Sequence, residues 1–170
     1  HLNNHGTLEN YIASKLAIIG KASENGNSIL NADDEHFEEA KEVCRSKVYS
    51  YGTKDFCDLQ IVGFEESVLN TKIDFKIFGE DHKFVSPLLG SFNVENLACA
   101  LLVCLAEGFE LDDLLAKVPQ LSIPGRMQEV DFGQDFKVVI DFAHTINGVT
   151  LLLDFAKNFE HKRIIVAMGQ

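Results

Sequence analysis

Gly90-Ser91-Phe92-Asn93-Val94-Glu95-Asn96-Leu97-Ala98-Cys99-Ala100 decides how the chain folds, because the sequence changes its period there. Upstream, residues 59–64, 72–78 and 82–88 alternate apolar and polar, the mark of half-buried antiparallel strands, with a hairpin turn expected at Gly79-Glu80-Asp81. From Ser91 the apolar residues crowd into a continuous stretch to Gly108, which reads as a buried helix with Gly108 as its C-cap and Asn93 as its N-cap. A second short helix is expected over 111–118.

Outward from this centre the pattern is that of an α/β protein. Thr7 caps a helix through Tyr11, Ile12, Leu16 and Ile19, and residues 28–31 form a short strand. Asp33 or Asp34 caps a helix through Phe37, Ala40 and Val43, and residues 47–51 form a strand closed by Gly52. Pro119 and Pro124 bracket a connection that reads as a domain boundary, giving units 1–122 and 123–170. Beyond it, apolar runs at 136–142 and 162–168 are expected as buried strands, joined by a helix over 148–159 into a βαβ unit.

Composition narrows the partners. With 170 residues, 46% hydrophobic and 24% charged, the chain can bury a core. A net charge of −11 argues against nucleic acid or an anionic membrane as main partner, since both need a basic footprint. An anionic small substrate needs only a local cluster of donors. No apolar run approaches the roughly 20 residues that span a bilayer, and no signal-peptide pattern opens the chain. Cys44, Cys57, Cys99 and Cys104 form no CxxC pair; Cys99 and Cys104 read as small buried hydrophobes, and the reducing cytoplasm is the expected compartment.

Four segments carry chemistry. His1-Leu2-Asn3-Asn4-His5-Gly6-Thr7 is followed by Tyr11 and Lys15. The Asn93-Val94-Glu95-Asn96 helix start aims backbone N–H groups at an acceptor. Gly125-Arg126-Met127 offers a permanently charged, planar fork of donors suited to phosphate or ribose. Asp141-Phe142-Ala143-His144-Thr145 stands at the C-terminal end of an apolar strand, where ligand sites of open α/β sheets lie. By residue type alone, a terminal His is a solvated residue, a helix Lys faces water, Asn93 is a cap and Arg126 a surface charge.

In order and spacing these segments resemble the Mur ligases, closest to the MurE type: DHLDYHGT…Y…AK, then Asn-x-x-Asn, GRME and DYAHTPD. The resemblance implies the second part of an ATP-binding central domain followed by the first βαβ unit of a Rossmann-like C-terminal domain. It implies that His1 binds magnesium, that Lys15 is carbamylated and orients a second magnesium, and that Asn93 and Asn96 lie by the nucleotide. It further implies that Arg126 approaches ATP, that Asp141 bonds the ribose and that His144 lies near the reacting phosphate. The implied reaction adds a third amino acid, lysine or diaminopimelate, to UDP-MurNAc-L-Ala-D-Glu through an acyl phosphate, with ATP and Mg2+.

The departures are Asn3-Asn4 for Asp-Tyr, Gln128 for Glu, Phe142 for Tyr, Ile146 for Pro and Asn147 for Asp. The family's GTxGKT phosphate loop and DNPR motif are absent from these residues. The isolated stretch is therefore expected to lack ligase activity, and its strand edge and apolar face are expected to drive self-association. Two alternatives stay open: another ligase of the superfamily, of folylpolyglutamate or cyanophycin synthetase type, and a diverged, non-catalytic homologue.

Overall fold

The structure, a computed structural model, describes residues 6–67, 70–158 and 160–169. Helix α1 (Leu8–Ile19) starts at Thr7, whose hydroxyl accepts the Asn10 amide at 3.2 Å, as its sequence implied. Strand β1 (Asn27–Asn31) leads to α2 (Phe37–Val43), and β2 (Lys47–Gly52) returns parallel to β1, with Ile29 beside Tyr49. Neither aspartate caps α2 directly. His36 occupies the cap position; Asp34 accepts its backbone N–H at 2.8 Å, and the Asp33 carboxylate is taken by Thr53.

Strand β3 (Leu59–Glu66) continues the sheet parallel to β2, and β4 (Thr71–Ile77) and β5 (Glu80–Ser86) add antiparallel, so the order is β1-β2-β3-β4-β5. The turn between β4 and β5 lies one residue earlier than the sequence suggested. Ile77 pairs with Glu80, leaving Phe78 (φ 48°) and Gly79 (φ 89°) as a two-residue turn. Both central residues need positive φ to match the twist of the flanking strands, and glycine fills the second place without steric cost.

Period two decides what the sheet buries. Along β4, Thr71, Ile73, Phe75 and Ile77 all face inward and are at most 2% exposed. Helix α3 (Ser91–Ala106) lies on that face. Its Val94, Leu97, Ala98, Leu101 and Leu102 pack with Leu59, Ile61, Ile73, Phe75 and Ile77, and Val118 closes the end after α4 (Leu111–Lys117). Each large side chain buried there stabilises the fold by about 1.5–3 kcal/mol. Leu30, Ala32, Phe37 and Ala40 form a second cluster with Leu16 and Ile19, so α1 and α2 cover the opposite face of the parallel strands. On the antiparallel side, Val62, Phe64 and Val85 point to solvent, and the bulge between Ile61 and Gly63 turns Val62 out.

The C-terminal part departs from expectation. Helix α5 (Ile146–Lys157) forms, with the Thr145 hydroxyl accepting the Gly148 amide, but its flanking strands are reduced. Only β7 (Val139–Ile140) is a strand, paired antiparallel with β6 (Gln128–Glu129), and residues 162–168 carry no strand. Parallel strands of a βαβ unit hold only when both faces are covered. Here Ile140, Ile165, Val166 and Met168 remain exposed among the described residues, so the apolar pattern is left largely uncovered. No described helix is long and apolar enough to cross a membrane.

Candidate functional site

The parallel strands β1 and β2 end at Asn31 and Gly52, and α3 begins beside them. Asp33, just past β1, accepts from Thr53 N at 2.7 Å and from Thr53 Oγ1 at 2.8 Å, joining the two strand ends. Burial pushes the Tyr51 hydroxyl up to about 12, helped by Cys99 and then by the Glu95 and Asp34 carboxylates. Partial burial, with the Asp33 charge next, raises the Glu95 carboxyl. The end of the sheet and the first turns of α3 therefore share one electrostatic neighbourhood. Sequence reasoning missed Asp33, Tyr51, Thr53 and Glu95. Their local signals were the strand ends at Asn31-Ala32-Asp33-Asp34 and Tyr51-Gly52-Thr53 and the helix start around Glu95, none of which names a site by itself.

The two asparagines of α3 divide their roles. Asn93 is 2% exposed, and its side-chain amide donates to Leu89 O at 2.6 Å. It is not the N-cap; Gly90 holds that place, and Asn93 ties the helix start back onto the preceding loop from inside. Asn96 is exposed and reaches Asn93 Oδ1 only at 3.5 Å, a weak contact that leaves its amide available to a ligand.

The second group lies across the β6–β7 ribbon. Arg126 is exposed, and its guanidinium carbon stands 5.2 Å from the Phe142 ring centre. A guanidinium held over an aromatic face keeps its edge donors free for phosphate or ribose oxygens. Asp141 accepts the Met127 amide at 2.8 Å and the Ala143 amide at 2.7 Å. His144 is exposed, its Nδ1 is 3.0 Å from Phe142 O, and its ring meets Phe142 edge-on with centres 5.1 Å apart. Arg126, Asp141 and His144 thus lie in one region although residues 127–140 of the chain intervene between Arg126 and Asp141.

Lys15 is exposed on α1, its ammonium 5.4 Å from the Tyr11 ring, and α1 packs against α2. Among the described residues, no hydrogen bond or ion pair joins it to either group. His1 lies outside the described residues. Among those described, no three His, Cys, Asp or Glu side chains gather closely enough to hold a metal by themselves. Asn96 in the first group and Arg126 in the second each offer donors of the kind that a nucleotide's base, ribose and phosphate acceptors take. Cys44, Cys57, Cys99 and Cys104 are free thiols of intermediate burial, Cys99 and Cys104 being less enclosed than their apolar setting suggested.

A family model described as the Mur ligase middle domain matches residues 1–104. A UDP-N-acetylmuramyl-tripeptide synthetase of Borrelia garinii subsp. bavariensis is 34% identical over 173 residues, covering 99% of this chain and 34% of that protein. The solved structure of a UDP-N-acetylmuramoyl-L-alanyl-D-glutamate–2,6-diaminopimelate ligase is 30% identical with a TM-score of 0.75, over 93% of this chain and 34% of that one. The folylpolyglutamate synthetase of Lactobacillus casei shares the fold at a TM-score of 0.72 and 15% identity, over 91% of this chain and 41% of that one. The chain spans about a third of the length of the curated relatives it matches.

Proposed function

The chain belongs to the Mur ligase family, and on that footing we propose that it is part of an ATP-dependent ligase adding the third amino acid to UDP-MurNAc-L-Ala-D-Glu in peptidoglycan synthesis. In this reaction the D-Glu carboxylate takes the γ-phosphoryl group of ATP, releasing ADP. The amine of lysine or diaminopimelate then attacks the acyl carbon and phosphate leaves. The observation that carries the reading is the meeting of the Arg126 loop with the Asp141–His144 turn, in a chain of which 99% aligns with about a third of such a ligase.

Arg126 supplies fixed positive charge to the nucleotide, and the Phe142 face orients it. Asn96, rather than the buried Asn93, meets the adenine. His144 stands near the transferring phosphate with its Nδ1 against Phe142 O, which leaves Nε2 outward. Lys15, exposed on α1, is open to carbamylation, which turns a cation into an anionic oxygen ligand. By the family resemblance His1 and a carbamylated Lys15 would hold magnesium, which would neutralise charge developing on the phosphates. The boundary between central and C-terminal units falls at 122/123, in the stretch after the turn at Val118–Gln120. Free thiols suit a reducing compartment, and we assign the protein to the cytoplasm. Catalysis belongs to the whole protein.

The test is phosphate release by the whole protein given UDP-MurNAc-L-Ala-D-Glu, ATP and magnesium, with lysine and diaminopimelate added in turn. Release that depends on one amino acid supports the reading. Release only with a folate and glutamate moves the chain to the folylpolyglutamate synthetase type, and no release under either condition points to a non-catalytic homologue.

A further inference from the structure

Asp141 has its two carboxylate oxygens engaged by backbone of two different loops. Oδ2 takes the amide of Met127, fourteen residues upstream, and Oδ1 takes the amide of Ala143 in its own turn. The upstream loop is strained: Met127 has φ 48°, unusual for a residue with a side chain, and Gly125 beside Arg126 has φ 70°. Such a backbone persists only where its surroundings over-determine it. Three anchors do so here. The Met127 side chain is 6% exposed, the Gly125 amide donates to Gln128 Oε1 at 2.9 Å, and the Met127 amide is held by Asp141. On the other side, the Ala143 bond sets the turn that presents Phe142 and His144.

We propose that Asp141 is a positioning residue that locks the 125–127 loop to the 141–144 turn, so that Arg126, Phe142 and His144 keep one arrangement. The function rests on the nucleotide site described above, but the lock is a property of the fold. Arg126 sits between two residues of positive φ, so its direction follows the loop backbone. Phe142 is the surface on which its guanidinium lies, so its direction is useful only while the two loops hold their register. A carboxylate suits this task because it accepts two amides at once and strengthens both bonds with its charge. Asparagine offers one acceptor oxygen and alanine none.

The test uses Asp141→Asn and Asp141→Ala in the whole protein, with amide hydrogen exchange read at Met127 and Ala143 and ADP affinity read alongside. Losing a charge-assisted hydrogen bond accelerates exchange at that amide by about tenfold or more. Asp141→Ala is expected to expose both amides and Asp141→Asn one of them, while the β4 amides keep their protection. ADP affinity should fall in the same order, wild type above Asn above Ala. Unchanged protection at both amides with lower ADP affinity would overturn the lock, because Asp141 would then act on the nucleotide alone. Lost protection in a protein whose wild type binds no ADP would uphold the lock and sink the nucleotide reading instead. Should the Ala variant fail to fold, the Asn variant carries the same comparison.

Discussion

Gly52→Ala tests the junction at the ends of β1 and β2. Gly52 has φ 146°, a region that residues with a side chain rarely enter, and a Cβ there would lie 2.8 Å from Asp33 Oδ2 and 3.0 Å from its Cγ. The Asp33 carboxylate can yield only by leaving Thr53, whose N–H and hydroxyl it holds at 2.7 and 2.8 Å. Backbone strain at such a φ contributes about 1–3 kcal/mol. Losing the pair of hydrogen bonds adds about 1–2 kcal/mol, near the low end for charged acceptors because Asp33 is exposed and water replaces part of the loss. The substitution should therefore destabilise the protein by about 3 kcal/mol in urea unfolding. The decisive comparison adds Asp33→Ala. With the carboxylate gone, Gly52→Ala should retain only the backbone part, so the cycle should show a coupling of about 1–2 kcal/mol. An equal effect of Gly52→Ala in both backgrounds would refute the clash, and a loss under about 0.5 kcal/mol would refute the strain as well.

Other expectations follow from the same packing and polarity. Leu102 is fully buried between α3 and the sheet, so Leu102→Ala should destabilise by about 2–5 kcal/mol, measured by denaturant midpoint at constant m. Asn93→Ala should lower stability by about 1–3 kcal/mol by leaving Leu89 O without its partner, whereas Asn96→Ala should leave the midpoint in place and weaken ADP binding in calorimetry. Equal behaviour of the two variants would contradict the division of roles. The Tyr51 hydroxyl is raised to about 12, so the neutral form is favoured in the fold; the stability this supplies is whole below the ordinary tyrosine value near 10 and is lost as pH climbs from there to about 12. Tyr51→Phe should flatten that alkaline decline in pH-dependent unfolding.

Much of the fold was legible because its signals are local. Alternation along Thr71–Ile77 and the apolar run of Ser91–Ala106 each reflect one face of one element, and both appear as read. The β4–β5 turn was misplaced because Phe78 looks like a strand residue, and only its pairing frame shows that it must take positive φ. The strand expected at 136–142 shrinks to Val139–Ile140 and the one expected at 162–168 does not form, for a different reason. Apolar composition states a need for burial, but a strand also requires pairing partners, and no described strand pairs with residues 162–168. At the site, Arg126, Asp141 and His144 were legible as motif residues. The Asp33–Thr53 bond, the Tyr51–Cys99 neighbourhood and the tie from Asp141 to Met127 were not, since each depends on segments brought together by the sheet or ribbon.

The most direct measurement follows the oxygen atoms. UDP-MurNAc-L-Ala-D-Glu carrying heavy oxygen in the D-Glu side-chain carboxylate is turned over by the whole protein with ATP and the accepted amino acid, and the released phosphate is weighed by mass spectrometry. An acyl-phosphate ligase transfers one carboxylate oxygen to phosphorus, so the phosphate should carry the label in step with amide formation. Phosphate released without label, or label retained wholly in the product, would contradict the assignment of this chain to that chemistry.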